Sequence, residues 1–310
     1  MDIILVLCKD PFELSIKEVS SFYNIVWKKD NFVCVKSEEQ KEDIYKRFAY
    51  TKSAYKILFS CKKDDGLKGL KENVNKFDWS FLRSFAVRNI NHKESEKELA
   101  DLIPSYNVDL KSPDDTISFL FLDKIYCLKL LWKNPKTFVK SEPKFRPAKF
   151  PTTINSRLAL GMVNLAGLKN GTIYDPFCGI GGILIEASLL GFKIKGNDIS
   201  KEMLKGCKRN LEHYKIKKFK LTNEDALKQK ETADAIVTDA PYGKNTKNIE
   251  NLELFIDQFL DNCKKNNIKK IIIGIPYGKK ITNRNYKIKV SYVERIHRSL
   301  SRSINVLEMC

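Results

Sequence analysis

Two short segments of this chain carry residue types at spacings that can do chemistry. Asp239-Ala240-Pro241-Tyr242-Gly243 sets a carboxylate, a backbone carbonyl, a proline and a phenol in a row. An amine attached to a base ring is a poor nucleophile, because its lone pair is delocalised into the ring. Acceptors on its N–H bonds turn that lone pair toward an electrophile. The Asp239 carboxylate and the Ala240 carbonyl can both accept. Pro241 would stiffen the loop, and Tyr242 could stack on a flat base. Positioning of this kind supplies most of the acceleration when the leaving group is already good. A plain strand-to-loop turn is the structural alternative.

The other segment is Asp175-Pro176-Phe177-Cys178-Gly179-Ile180-Gly181-Gly182. It lies between a predicted strand and a predicted helix. Glycines let backbone approach a ligand closely, and a helix start offers unpaired N–H groups. A tight structural turn would explain the glycines equally well. Asp198 ends the next predicted strand about 20 residues on, where an acid can accept both ribose hydroxyls. It can also be read as a helix cap beside Ser200. Asp225 follows the strand after that and could accept from an adenine amine, or be a turn residue. Three acids, one per strand-to-helix corner, point to a nucleoside-bearing donor. The expected donor set is Asp175, Phe177, Gly179, Gly181, Asp198, Ile199, Asp225 and Ala226. No GxxxxGK[ST] phosphate loop occurs. A donor site followed by a base site suggests methyl transfer from a sulfonium to an exocyclic nitrogen.

The elements that must position these residues alternate. Thr172–Asp175, Lys193–Asn197, Phe219–Thr222 and Ala235–Asp239 read as strands, and Gly182–Leu190 and Ser200–His213 as helices. Leu252, Phe255, Ile256, Phe259 and Leu260 form an apolar stripe at helical spacing. Ile268–Ile275 is an almost wholly apolar strand. Tyr286–His297 and Ser303–Met309 read as a closing pair of strands. The alternation predicts a doubly wound parallel sheet, whose ligands bind beyond the carboxyl ends of the strands. Upstream, Ile3–Cys8, Asn31–Lys36, Ala54–Ser60, Ser84–Asn89, Tyr106–Asp109 and Thr116–Leu122 read as strands. Ser15–Tyr23 reads as a helix, and Ser95 with Glu98 forms a capping box at the start of another. Pro135, Pro143, Pro147 and Pro151 signal a linker. Lys124 to Lys149 holds eight basic residues against one acidic, which fits a solvated linker or a strip that grips phosphates.

The 310 residues carry a formal net charge of +18. That length suits two domains, and that charge suits a phosphate-rich partner or a Lys-rich solvated surface. Residues 151–310 hold 28 basic and 16 acidic side chains, and residues 1–150 hold 28 and 22. His297-Arg298-Ser299-Leu300-Ser301-Arg302 could grip phosphates or be a solvated hairpin turn. Eight scattered Cys, no CxxC pair and three His argue against a metal site and for free thiols in a cytoplasmic protein. Cys178 and Cys207 read as small core residues. Ile3–Cys8 is too short to be a signal or a membrane span.

At these residues the chain resembles class I S-adenosylmethionine-dependent methyltransferases that carry a THUMP domain. Among them it looks most like the archaeal tRNA guanine-10 N2-methyltransferases. The THUMP likeness rests on Ser84-Phe85-Ala86-Val87-Arg88, Asn107-Val108-Asp109-Leu110 and Ser112-Pro113-Asp114. Arg146-Pro147-Ala148-Lys149-Phe150-Pro151 with Ser156-Arg157-Leu158-Ala159 matches the lead-in, and His297-Arg298-Ser299-Leu300 the closing hairpin. The resemblance implies a Rossmann-like seven-stranded methyltransferase domain over 161–310, after an α+β THUMP-containing region. It divides that region into a ferredoxin-like subdomain over 1–50 and THUMP over 51–142, with a linker over 143–160. It implies S-adenosyl-L-methionine as donor, packed against Gly179 and Gly181, with its ribose on Asp198 and its adenine on Asp225. Asp239 and Tyr242 would hold guanine. Arg83, Arg88, Lys111 and Arg298 are the expected RNA contacts. Asp rather than Asn at 239 favours position 10 over the similar enzymes acting at acceptor-stem position 6. The family usually has Pro where this chain has Ala240, which keeps the carbonyl acceptor and makes the loop less stiff.

The partners this reading admits are tRNA and a small activating subunit, with no membrane. Two other readings stand beside it. An amino-methyltransferase of DNA adenine or protein glutamine would use the same loop, and a non-catalytic RNA-binding protein would need no donor at all.

Overall fold

Short, largely apolar runs such as Ile3–Leu7, Phe32–Val35 and Phe119–Phe121 dominate the first half of the chain and build a mostly antiparallel sheet. The computed structural model describes residues 1–37, 44–91, 95–104, 107–151, 153–241, 251–297 and 300–310; at 296, 297 and 300 the backbone alone is described. In chain order the elements to Lys133 are β1 (Asp2–Leu7), α1 (Phe12–Ser20), β2 (Ile25–Lys29), β3 (Phe32–Lys36), β4 (Thr51–Lys62), α2 (Gly66–Lys76), β5 (Phe85–Asn89), α3 (Glu96–Ala100), β6 (Asp115–Phe121) and β7 (Lys124–Lys133). Two compact units emerge. The first comprises Met1–Phe12, Tyr23–Lys46 and Thr51–Pro135, and the second Glu13–Phe22, Arg47–Tyr50 and Lys136–Cys310.

In the first unit seven strands run in the order β2-β3-β1-β4-β7-β6-β5. One sheet face packs Phe85, Val87, Ile117, Phe119 and Cys127 against Leu70 and Val74 of α2 and Leu99 of α3. The other buries Ile4, Phe32, Cys34, Leu120 and Leu128. The capping box is present: Glu98 N–H donates to Ser95 Oγ at 3.1 Å, and Ser95 N–H returns a bond to Glu98 Oε2 at 2.9 Å. Residues 1–50 and 51–142 contribute strands to a single sheet rather than to two. The basic run from Lys124 is no linker where it begins. It opens with β7, an interior strand whose Ile125, Cys127 and Leu128 are buried. Tyr106–Asp109 does not form a strand in its described part; Val108 makes one isolated parallel bridge to Phe85. β2 and α2 escaped the sequence reading.

The second unit adds α4 (Ser156–Leu165), β8 (Thr172–Asp175), α5 (Gly182–Leu189), β9 (Lys193–Asn197), α6 (Lys201–His213), β10 (Phe219–Thr222), β11 (Ala235–Asp239), α7 (Leu252–Lys265), β12 (Lys270–Pro276), β13 (Tyr286–His297) and β14 (Leu300–Met309). Its sheet runs β10-β9-β8-β11-β12-β14-β13, with the first five strands parallel and β14 antiparallel to both neighbours. This is the expected seven-stranded sheet with its closing hairpin. Alternate residues of the central strands go to opposite faces, and both faces are covered. Ile173, Val237 and Ile272 meet α4 and α5 on one side; Tyr174, Ile236, Ile271 and Ile273 meet α7 on the other.

The expected linker over 143–160 is packed into this unit. It forms a 3-10 turn at Pro143–Phe145 and then enters α4, whose N-cap Asn155 accepts from Leu158 N–H at 2.8 Å. Arg146 is buried, donating from Nε to Ser141 O at 2.8 Å and from Nη2 to Ser156 Oγ at 3.0 Å. That guanidinium adds no charge to a solvated strip. Ala148 exchanges backbone bonds with the Asn210 side chain of α6, which also donates to Ile180 O at 2.9 Å. The lead-in is thus fastened to the glycine-rich turn.

Candidate active site

The strand order reverses direction between β8 and β11, because β9 and β10 extend to one side and β12 to the other. Such a switch point opens a crevice at the carboxyl ends of the strands. A cavity of about 650 Å³ lies there. Asp175 ends β8, Asp198 follows β9, Asp225 follows β10 and Asp239 ends β11, and all four line it.

Asp175 is 2% exposed. Its Oδ1 accepts from the Thr238 hydroxyl at 2.6 Å and from Phe177 N–H at 3.2 Å. Burial outweighs both bonds and pushes the carboxyl up to about 8, with the Asp239 and Asp198 charges acting in the same direction. Asp198 uses one lone pair on each oxygen: Oδ2 accepts from Gly179 N–H at 2.9 Å and Oδ1 from Ser200 N–H at 2.9 Å. Each oxygen keeps acceptor capacity for another hydroxyl. Burial raises this carboxyl as well, against those two bonds. The cap of α6 is Ser200, whose Oγ accepts from Met203 N–H at 3.3 Å. Asp198 therefore braces both the helix start and the glycine-rich turn. Asp225 accepts from Leu227 N–H at 3.0 Å, so the turn role and a place on the cavity wall coexist.

The glycines divide their work. Gly179, at φ +51°, lines the cavity, and a Cβ there would meet nothing within 4 Å. Gly181, at φ +86°, is not among the lining residues. A Cβ on it would come within 2.7 Å of Cys207 Sγ on α6. It serves packing beneath the turn. Phe177, Ile199 and Ala226 line the cavity. Phe177 packs on Phe259 and Phe255 of α7, with ring centroids 5.1 and 5.8 Å apart. Ile199 is 78% exposed at the cavity mouth, an apolar surface suited to covering a flat ring. Cys178 and Cys207 are both buried, and their mutual contact with burial holds the Cys178 thiol well above its ordinary range.

Asp239, Ala240 and Pro241 line the same cavity. Tyr242 lies outside the described residues. Ala240 is buried, and its N–H donates to Gly274 O at 2.9 Å. A proline could not make that bond. The ladder with β12 therefore continues one residue past β11 and restrains the loop where the missing proline would have. Asp239 Oδ2 is paired with Arg302 Nη2 at 2.8 Å. Arg302 comes from β14 and is 4% exposed, so it is no surface grip for phosphate.

Sequence reasoning missed Arg302, Thr238 and Asn197. Asn197 is buried at the end of β9. It donates to Pro176 O at 3.1 Å and Glu224 O at 3.0 Å, and accepts from Glu224 N–H at 2.9 Å, tying three corners together. Only Thr238 carried a signal, as a polar side chain near the end of the otherwise apolar run Ala235–Val237. Of the expected RNA contacts, Arg83 and Lys111 are exposed in the first unit. Arg88 is exposed too, but its guanidinium pairs with Glu96 at 3.1 Å. Arg298 lies outside the described residues. Ser84 and Asp114, from separate parts of the THUMP-like pattern, bond to one another at 2.8 and 3.0 Å. Among the described residues no cluster could hold a metal ion and no helix is long and apolar enough to cross a membrane.

Comparison with known proteins agrees with this fold. Residues 143–305 match the family described as RMKL-like, methyltransferase domain. Residues 14–209 also match a family described as DNA methylase, a match that stops short of β11. The tRNA (guanine(10)-N2)-dimethyltransferase of Methanothermobacter thermautotrophicus is 34% identical, over 85% of this chain and 84% of that protein. The protein of the same name from Pyrococcus abyssi is 30% identical over 98% of each. Among solved structures, TrmN from Thermus thermophilus shares the fold, with a TM-score of 0.50 at 14% identity over the whole of both chains. The chain therefore belongs to the RMKL-like methyltransferase-domain family, in the group of the archaeal tRNA (guanine(10)-N2)-dimethyltransferases.

Proposed function

We propose that this protein methylates the exocyclic N2 of guanosine 10 in tRNA, once or twice, with S-adenosyl-L-methionine as donor. The observation that carries the reading is the sharing of one cavity. The carboxylate and carbonyl suited to an aryl amine line the same space as the three acidic corners suited to a nucleoside. The cavity fits the donor on its own terms. Asp198 has acceptor capacity left for ribose hydroxyls, Asp225 stands for an adenine amine, and Ile199 offers an apolar cover. Gly179 leaves open space where any other residue would put a Cβ.

When bound, S-adenosyl-L-methionine supplies an electrophilic methyl on a sulfonium that is already a good leaving group. The protein's part is positional. Asp239 and the Ala240 carbonyl accept from the two N–H bonds of N2 and direct its lone pair. The Asp239 carboxylate also stands where the proton shed on alkylation can be taken. Pro241 and the Ala240–Gly274 bond restrict the loop. The exposed cations Arg83 and Lys111 belong, in this reading, to a THUMP module over 51–142 that grips the tRNA backbone. The location is cytoplasmic.

The DNA-methylase match supports a second reading, amino-methylation of DNA adenine. One experiment separates the two: incubation with labelled donor and either unmodified tRNA or duplex DNA, then mass spectrometry of the nucleosides. N2-methylated guanosine that disappears when nucleotide 10 is changed supports the proposal. Label in N6-methyladenosine of DNA, with none in tRNA, refutes it.

A further inference from the structure

Arg302 occupies a place that stability alone does not explain. It sits in β14 beside Ile304 and Val306, nearly out of reach of water, at a site where an apolar residue would have been as stabilising as a buried ion pair. Its two arms diverge. Nη2 donates to Asp239 Oδ2 at 2.8 Å, and Nη1 donates to Glu294 Oε2 on β13 at 3.3 Å. Glu294 accepts in turn from the side chain of Asn155, the N-cap of α4. The carboxylate at the end of β11 is therefore joined through the closing hairpin to the helix that begins the second unit's core. Opposite it on β12 stands Gly274, in register with Asp239. A Cβ at 274 would collide with Asp239 Oδ1 and come within 3.1 Å of Arg302 Cδ. Carboxylate and guanidinium lie together in the space that this glycine leaves.

We propose that Arg302 is a positioning residue for Asp239: it fixes the plane of that carboxylate, so that it meets the substrate amine as an acceptor. Glu294 and Asn155 hold the guanidinium in turn, and Gly274 provides the room. The inference rests on the role given to Asp239 in the proposed function. Charged groups near Asp239 among the described residues include Arg302 from β14, Glu294 behind it on β13, and Asp175 from β8. Arg302 is the cation among these three, so its removal takes an attractive charge away from Asp239.

The test compares Arg302→Met, Arg302→Lys and Gly274→Ala with wild type. Donor binding is measured by calorimetry, and kcat and KM for tRNA across pH 5.5 to 9. Donor affinity within about twofold of wild type shows that the variants fold. Arg302→Met is expected to lower kcat on the order of 10²-fold, the usual cost of a small misplacement, with KM within a few fold. The acid limb of its kcat profile should move up in pH, which a packing defect would not cause. Arg302→Lys should fall between, because a point charge replaces a fork. Gly274→Ala should lower kcat without removing any charge. An Arg302→Met enzyme with kcat within twofold of wild type, or one that loses donor binding in step with kcat, overturns the proposal. If wild type methylates no tRNA, the functional reading fails, and the pair is judged by urea unfolding of Arg302→Met, Asp239→Asn and the double variant. Additive effects there overturn it; strong coupling upholds the contact on which it stands.

Discussion

The two glycines of the glycine-rich turn make opposite demands, and exchanging each for alanine should separate the affinity for the proposed donor from stability. Both have positive φ, +51° at Gly179 and +86° at Gly181. An alanine held in the left-handed region costs about 1–2 kcal/mol. The stiffer unfolded chain returns roughly 0.4–1 kcal/mol. Gly179→Ala should therefore lose about 1 kcal/mol, since its Cβ points into open space. Gly181→Ala bears the same backbone cost and also drives a Cβ to 2.7 Å from Cys207 Sγ. Overpacking a core adds about 1–3 kcal/mol, for a total near 2–4. Binding should rank the other way. The open space beside Gly179 is the cavity, and its N–H bond holds Asp198 in place. Gly179→Ala should weaken S-adenosyl-L-methionine at least tenfold, about 1.4 kcal/mol, while folded Gly181→Ala stays within about threefold of wild type. Urea unfolding and titration calorimetry read the two quantities independently. Adding Cys207→Ala to Gly181→Ala should recover the overpacking part. The reasoning fails if the single variants are equally stable, or if Gly181→Ala loses more affinity than Gly179→Ala.

Asp239→Ala should lower kcat on the order of 10³-fold with donor affinity near wild type, measured by single-turnover transfer and calorimetry; equal loss of both would refute its role as an amine acceptor. Asp175 is held near 8 against an ordinary 3.8, so the folded state keeps a proton that the unfolded chain has already released above about pH 4. The stabilisation from this group is complete below that pH and drains away as pH rises toward 8. Asp175→Asn should accordingly gain on wild type in unfolding free energy, read from urea titrations between pH 5 and pH 8, by on the order of a few kcal/mol, and a difference independent of pH would contradict the burial argument. Arg83→Gln and Lys111→Gln should each weaken tRNA binding and flatten its salt dependence by about one counterion; an unchanged slope would remove them from the interface. Arg88→Gln should do less, because Glu96 already shares its charge.

The sequence revealed most where local pattern and burial agree. In the second unit β8, β9, β10 and β11 fall where alternation and turn chemistry put them, and each acidic corner reaches the cavity. The capping box of α3 was legible because its two bonds span three residues. β7 was not. Its lysines at 124, 129 and 133 make it read as a solvated run. Folding shields Lys129 by pairing it with Asp115 at 2.6 Å and laying its ammonium over the Phe81 ring. The four prolines masked α4, although Asn155 caps it three residues before Leu158. Gly181 looked like a ligand glycine because the reason for its missing side chain is Cys207, on another helix. Arg302 was counted as surface charge for the same kind of reason: its partner lies two strands across the sheet on β11, with α7, β12 and β13 between them in the chain, and no local period reports a pairing of that range.

Gly274 shows how closely the two acceptors assigned to the substrate amine depend on one neighbouring strand. Its missing side chain leaves room for the Asp239 carboxylate and the Arg302 stem. Its carbonyl, at 2.9 Å, takes the Ala240 N–H. That bond fixes the peptide plane between 239 and 240, one residue before the plane that carries the Ala240 carbonyl, so φ and ψ of Ala240 alone separate that carbonyl from the ladder. A family member with proline at this position fixes φ covalently and gives up the bond. This chain keeps the bond, which ties the peptide before Ala240 to β12, and has no ring to fix φ. Both arrangements hold the loop at its root, by a ring in one case and by a rung of the sheet in the other. The stiffness that Ala240 seemed to surrender is thus retained, and its source has moved from the residue itself to β12.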